Sequence, residues 1–126
     1  MKKIFALAGL LTLGLAAGCA GSGAGYASIS PEAAKARMDR GGAVVLDVRE
    51  PSEYREGHVP GAVNFPLGAI RRETAAEFIP EKDADVLVYC RSGVRSKKGA
   101  EKLAALGYTH VMEFGGILQW PYGVEK

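Results

Sequence analysis

Short apolar runs, each bounded by turn residues, alternate along the chain with stretches whose apolar residues recur at helical spacing. The clearest run is Asp85–Cys90, and residues 43–46, 62–65 and 111–114 have the same character. Such runs are typical of strands that are buried on both faces. Because helical stretches separate them, we expect an α/β domain with a central parallel sheet and helices on both faces.

Capping residues predict where the helices begin and end. Ser30 followed by Pro31 indicates a helix start, because serine caps free N–H groups and proline suits the first helical position. A glycine pair at 41–42 is expected to end this helix. Further helical segments are predicted over residues 51–56, 67–78 and 94–106, the last of them capped by Gly107.

Residues 1–18 have the layout of a bacterial export signal. Two lysines precede an apolar stretch that is shorter than the about 20 residues of a membrane span, and small residues follow it. Residues 16–19 (AAGC) resemble a lipobox, in which the cysteine is lipidated, although Leu15 lies one place further from Cys19 than the usual leucine. We expect a signal at 1–18, a flexible Gly-rich tether at 19–25 and the folded domain at 26–126.

The lipobox resemblance predicts a lipoprotein of the bacterial cell envelope, anchored in a membrane through Cys19 and facing the periplasm or the exterior. Two other interpretations are an ordinary cleaved signal with an incidental cysteine and a retained anchor helix. The second cysteine of the chain is Cys90. A disulfide between the two is disfavoured because Cys19 lies on the leader, so Cys90 is predicted to be an unpaired, reactive thiol.

Composition and residue spacing disfavour nucleic acid, metals and other cofactors as partners. The 16 Lys and Arg residues exceed the 14 Asp and Glu residues by Lys2 and Lys3 alone, so the chain beyond the signal is neutral overall. We therefore expect no nucleic-acid binding. No set of Cys, His or carboxylate residues has metal-ligand spacing, and neither a metal nor another cofactor is predicted. The short chain without a long apolar surface stretch favours a monomer.

Cys90 ends the clearest predicted strand, at the sheet edge where α/β proteins bind ligands. The loop at 91–95 can aim successive N–H groups at one point, and the following helix adds the positive end of its dipole. Gly93 permits the positive φ that such a curl requires. Positive charge comes from four side chains, Arg91, Arg95, Lys97 and Lys98. Because these features lower a thiol pKa, Cys90 is predicted to be a nucleophile that needs no histidine base.

Four segments resemble the signatures of rhodanese domains, in the same order along the chain. Residues 90–96 (CRSGVRS) resemble the active-site loop, and the other segments are 46–54 (LDVREPSEY), 57–66 (GHVPGAVNFP) and 115–120 (GGILQW). Four signatures at suitable separations are far more specific than any one alone. The resemblance implies the α/β fold of this family over residues 27–123.

The resemblance implies a sulfurtransferase. Cys90 would attack the outer sulfur of a donor such as thiosulfate, release sulfite and keep the sulfur as a persulfide, which cyanide or a thiol then removes. The expected partners are therefore small sulfur-containing anions and thiols. The residues implied in binding the donor and the persulfide are Arg91, Ser92, Gly93, Val94 and Arg95. Arg95 is equally consistent with holding the loop in shape.

Other residues of the signatures are interpreted mainly as structural. Asp47 and Arg49 could support the site, but pinning loops through hydrogen bonds is the favoured role. His58 lies in a turn signature and is expected to be structural rather than an acid or base. Trp120 is expected to pack in the core rather than to hold a cofactor.

Two other functions use similar features. Cysteine-dependent phosphatases and the related arsenate reductases also place a thiolate in an amide-lined loop, but their loop is one residue longer than the four residues between Cys90 and Arg95. The shorter ring suits one sulfur atom better than a tetrahedral phosphate. A non-turnover sulfur carrier or binding module is the second alternative, because persulfide chemistry does not name the acceptor.

Overall fold

A computed structural model describes residues 25–126. The predicted signal, Cys19 and all but the last residue of the predicted tether lie outside the described residues. These residues form five strands, β1 (Ala27–Ser28), β2 (Val44–Asp47), β3 (Val63–Asn64), β4 (Asp85–Cys90) and β5 (His110–Gly116). The same part of the chain forms four α-helices, α1 (Pro31–Asp39), α2 (Pro51–Glu56), α3 (Arg72–Phe78) and α4 (Val94–Ala105), and 3₁₀ turns at Leu67–Ala69 and Ile117–Gln119.

The five strands form one sheet in the order β1-β5-β4-β2-β3, and every pairing in it is parallel. This confirms the predicted α/β class and parallel sheet. β4 lies at the centre, between β5 and β2, so its carboxyl end opens onto the middle of the sheet edge. The two-residue strand β1 carries no hydrophobic run of its own and was not predicted. Its backbone pairs with β5, where Ser28 lies beside Glu113.

Helices cover both faces of the sheet, as expected. Alternate residues of β4 point to opposite sides, as in any strand. Val86, Val88 and Cys90 join the core that α3 and α4 cover, which includes Ala75, Ile79, Ala100 and Leu103. Leu87 and Tyr89 join the second core, together with Ala34 of α1 and the partly buried Tyr54 of α2. Cys90 therefore lies on the face that α4 covers.

Most predicted boundaries agree with the structure to within two residues. Ser30 caps α1 by accepting the Ala33 N–H at 3.0 Å. Residues 67–78, where helical spacing was continuous, instead form a 3₁₀ turn and the separate helix α3. Arg71 between them is extended, with φ −156° and ψ 175°. Thr74 Oγ1 fixes this break because it accepts the Arg71 N–H at 3.1 Å and donates to the Ala69 carbonyl at 2.6 Å.

Among residues 25–126, every helix is too short or too polar to cross a membrane.

Candidate active site

Cys90 lies at the carboxyl end of the central strand, directly before the turn into α4. The residue is fully buried. Its Sγ accepts the Gly93 N–H at 3.0 Å, which closes the loop back onto the sulfur. The strand thus delivers a thiol to the start of a 12-residue helix, whose dipole favours negative charge at that point.

The surroundings of Cys90 favour its thiolate. Burial raises the pKa of the Cys90 thiol, but the N–H groups of Ser96, Gly93 and Ser92 and the Ser96 hydroxyl outweigh burial, so the pKa lies below that of an ordinary cysteine. The Ser96 hydroxyl also lies within hydrogen-bonding distance of two oxygen acceptors, Glu113 Oε1 at 2.9 Å and the Gly93 carbonyl at 3.0 Å. The amide N–H groups are therefore the main donors to the sulfur.

Two glycines give the loop its shape. Gly93 has φ +111° and precedes α4, the left-handed conformation that the sequence predicts for it. Gly116 of β5 packs against the backbone of the loop at Arg91 and Ser92. A Cβ on Gly116 would stand 2.0 Å from the Arg91 carbonyl oxygen, so only glycine fits there. The same carbonyl accepts the Leu118 N–H at 3.2 Å, which ties the loop to the segment after β5.

The two arginines of the loop differ in their surroundings. The Arg95 guanidinium donates to both carboxylate oxygens of Glu53 in α2, at 2.8 and 3.0 Å. This hydrogen-bonded pair lowers the Glu53 pKa to about 2. The contact joins the loop to α2. The side chain of Arg91 is exposed at the surface of the loop.

The remaining predicted loop residues form the rim above the sulfur. Ser92 is exposed, and Val94 is 63% exposed although it is apolar. Gly93 is buried between them. The structure thus places the five predicted loop residues directly after Cys90, and the N–H groups of Ser92 and Gly93 are the ones among them that bond its sulfur.

Asp47 and Arg49 form a buried network with Tyr89, the residue before Cys90. Arg49 donates to both Asp47 oxygens, with its shortest contact at 2.7 Å, and also to the Gly57 carbonyl at 2.8 Å. The Tyr89 hydroxyl donates to Asp47 at 2.6 Å. Burial, and then the neighbouring Asp47 carboxylate, raise the Tyr89 pKa. The network joins the ends of β2 and β4 to the turn before β3.

His58 and Trp120 are placed as structural residues. The His58 ring stacks on Tyr54 with centroids 3.7 Å apart, and its Nδ1 lies 2.9 Å from the Tyr54 carbonyl. Trp120 packs on Phe114 in the second core. Within residues 25–126, no three His, Cys, Asp or Glu side chains lie close enough together to hold a metal ion.

Three residues around the loop were not singled out from the sequence. Glu53 accepts hydrogen bonds from Arg95, and the Ser96 hydroxyl donates to the Gly93 carbonyl or to Glu113. Glu113 is a carboxylate that is only 2% exposed. A signal for Glu113 is present, because it stands two residues after Val111 on a strand and therefore faces the same buried side. Nothing in the local sequence pairs Glu53 with Arg95, since 42 residues separate them.

Comparisons with known proteins agree with this geometry. The rhodanese-like domain family matches residues 30–121. The thiosulfate sulfurtransferase PspE of Escherichia coli is 43% identical over 72 residues, which are 57% of this chain and 68% of PspE. The putative sulfur carrier protein YrkF of Bacillus subtilis is 36% identical over 94 residues, 73% of this chain and 49% of YrkF.

A solved structure of a rhodanese with anions from E. coli superposes with a TM-score of 0.62 and 38% identity, covering 67% of this chain and 98% of that one. The family match includes strands β2 to β5 and the Cys90 loop, and the named relatives are a thiosulfate sulfurtransferase and a putative sulfur carrier. The chain therefore belongs to the rhodanese-like domain family.

Proposed function

We propose that this protein is a sulfurtransferase that carries sulfane sulfur as a persulfide on Cys90. The observation that carries the proposal is the convergence of loop N–H groups on the Cys90 sulfur, with Gly93 N at 3.0 Å. A thiolate in such a loop is a nucleophile, and the same N–H groups can hold the negative terminal sulfur of a persulfide. The similarity to PspE, a thiosulfate sulfurtransferase, supports thiosulfate as the donor.

The proposed cycle has two displacements at sulfur. The Cys90 thiolate attacks the outer sulfur of thiosulfate, a new S–S bond forms, and sulfite leaves with the electron pair of the bond that breaks. Cyanide or a thiolate then attacks the terminal sulfur of the persulfide, and Cys90 leaves as its thiolate. Cys90 is a thiolate before and after the cycle and a negatively charged persulfide between the two displacements, and the loop N–H groups stabilise both anions. The two displacements balance without a metal or a redox partner.

The side chains around the loop divide the remaining work. The exposed Arg91 attracts the anionic donor, and Arg95 bound to Glu53 keeps the loop closed around the sulfur. Because Cys90 is fully buried, the residues around it must move to admit the donor. This movement is therefore part of the proposed cycle.

A second candidate is a carrier that takes up sulfur from a partner and passes it on without turnover. The similarity to the putative sulfur carrier YrkF favours this alternative. Carrier and enzyme share the Cys90 persulfide and differ in the rate at which a small acceptor discharges it.

Steady-state turnover separates the two functions. The full chain is incubated with thiosulfate and cyanide, and thiocyanate is measured beside the Cys90→Ser variant. Many thiocyanate molecules per chain, and none from the variant, are expected of the enzyme. One sulfur per chain with negligible turnover would indicate the carrier, and product from Cys90→Ser would refute both.

We also propose that lipid on Cys19 anchors the protein in the cell envelope. The basis is the lipobox-like sequence AAGC before a Gly-rich stretch. Lipid chains supply membrane affinity in proportion to the CH₂ groups that they bury.

A further inference from the structure

Glu113 is a buried carboxylate to which the sulfurtransfer steps assign no role. It lies on β5 and is only 2% exposed. Its Oε2 accepts from the Ser28 hydroxyl at 2.6 Å and lies 3.4 Å from the Lys97 ammonium. Its Oε1 accepts from the Ser96 hydroxyl at 2.9 Å and from the Gly115 N–H at 3.0 Å. Burial of a charge is costly unless it is satisfied in this way.

Two of these contacts lead directly to the Cys90 loop. Ser96 lies in the first turn of α4, and its own N–H is among the donors that favour the Cys90 thiolate. Gly115 precedes Gly116, the residue that packs against the Arg91 carbonyl. The Glu113 carboxylate thus joins the start of α4 to the end of β5, the two segments between which the loop is held.

We propose that Glu113 is a positioning residue for sulfur transfer, whose carboxylate fixes Ser96 and Gly115 so that the loop N–H groups stay aimed at Cys90. Its effect on Cys90 passes through Ser96 rather than through its own charge. The proposal rests on the proposed function, since it deepens the role of the same loop.

Loss of the Glu113 charge and loss of its hydrogen bonds would shift the Cys90 thiol pKa in opposite directions. A carboxylate near a thiol disfavours the thiolate, so removing the charge alone would lower the thiol pKa. Loss of aligned N–H donors would raise it. The other charged groups close to the loop are Arg91, Arg95 with its partner Glu53, and Lys97, which pairs with Glu113 itself. A Lys97 ammonium released from Glu113 would also favour the thiolate, so it acts in the same direction as loss of the charge. The sign of the change therefore identifies the mechanism.

The test measures the rate of Cys90 alkylation by iodoacetamide against pH in the full chain. Glu113→Leu keeps the approximate size of the side chain and removes both its charge and the oxygen that accepts from Ser96 and Gly115. We expect it to raise the thiol pKa by about one unit, which is about a tenfold fall in reactivity below the pKa. Ser96→Ala is expected to have the same effect. In the double variant, Glu113→Leu should add little to Ser96→Ala, because the two act through one contact.

Ser28→Ala is the matched control. It removes one hydrogen bond from the same carboxylate, on the side that faces β1 and away from the loop. We expect it to lower the midpoint of thermal unfolding and to leave the thiol pKa unchanged. If Glu113→Leu fails to fold, Ser96→Ala tests the same contact from the other partner.

Three outcomes would overturn the proposal: a lower thiol pKa in Glu113→Leu, an unchanged one, or full additivity in the double variant. The alkylation assay does not depend on sulfur transfer. If the wild-type chain titrates as expected but takes up no sulfur from thiosulfate, the proposed function fails while the role of Glu113 in holding the loop stands.

Discussion

Gly116 offers a steric test of the Cys90 loop, because its replacement by alanine introduces one methyl group against the loop backbone. The backbone of Gly116 has φ −140° and ψ 165°, a conformation that alanine adopts without strain. A Cβ at this position would lie 2.0 Å from the Arg91 carbonyl oxygen and 2.6 Å from the Ser92 nitrogen. Any effect of Gly116→Ala is therefore an effect of contact with the loop.

The size of the overlap determines the expected loss. Ordinary carbon contacts lie at about 3.5 Å, so the loop must move by more than about 1 Å. A shift of this size takes the Gly93 N–H, now 3.0 Å from Sγ, out of hydrogen-bonding geometry. Misplacement of reacting groups by about 1 Å can reduce rates about 100-fold, and overpacking costs about 1–3 kcal/mol of stability. We expect both effects in Gly116→Ala.

The assay follows sulfite release from thiosulfate and, separately, thermal unfolding by circular dichroism. Gly68→Ala is the control, since a Cβ on Gly68 meets nothing within 4 Å and its backbone is not left-handed. It should retain the wild-type rate. A folded Gly116→Ala protein that releases sulfite at the wild-type rate would refute the reasoning, because the loop would then work without its observed shape.

Three further predictions concern the charged groups and the leader. Glu53→Gln should lower the free energy of unfolding by about 1 kcal/mol at pH 7. This value is small because the Arg95–Glu53 pair is partly exposed and water screens it. Because the Glu53 pKa is lowered from 4.5 to about 2, this stabilisation is present above pH 4.5 and is lost as the pH falls towards 2. The stability of the variant should therefore depend less on pH in that window. Glu73→Gln, at an exposed carboxylate, is the control, and identical pH curves for wild type and Glu53→Gln would contradict the pairing with Arg95. Arg91→Ala should raise the KM for thiosulfate about fivefold at low salt with little change in kcat, because the variant loses an exposed charge that attracts the donor. The control Lys98→Ala should leave KM unchanged. Equal KM values for wild type and Arg91→Ala would show that this arginine does not attract the donor. Cys19→Ser should move the protein from the membrane to the soluble fraction of expressing cells, and continued membrane association would favour a retained anchor helix.

Local patterns were sufficient to predict most elements of the fold. The buried run Asp85–Cys90 agrees with β4 residue for residue, and the Ser30–Pro31 start of α1 is confirmed by its capping bond. β1 was missed because two residues carry no periodicity, and its place depends on pairing with β5. The break at Arg71 was missed because the Thr74 bonds that cause it compete with continuous helical spacing.

The site follows the same division between local and long-range causes. The position of Cys90, the left-handed Gly93 and the start of α4 are local, and the sequence predicts each of them. The bracing of Arg95 by Glu53 and the contacts of Glu113 with Ser28 and Ser96 join residues that are far apart in the chain. Such contacts depend on the packing of whole elements, which no local pattern encodes.

Mass spectrometry of the Cys90 peptide tests the central claim most directly. The full chain is treated with thiosulfate, freed of excess donor and digested under conditions that preserve persulfides. We predict a gain of about 32 Da on the peptide that contains Cys90, removed by a thiol reductant and absent from Cys90→Ser. An unmodified Cys90 peptide after exposure to thiosulfate, or a reducible sulfur of the same mass elsewhere in the chain, would contradict the assignment of Cys90 as the sulfur-carrying residue.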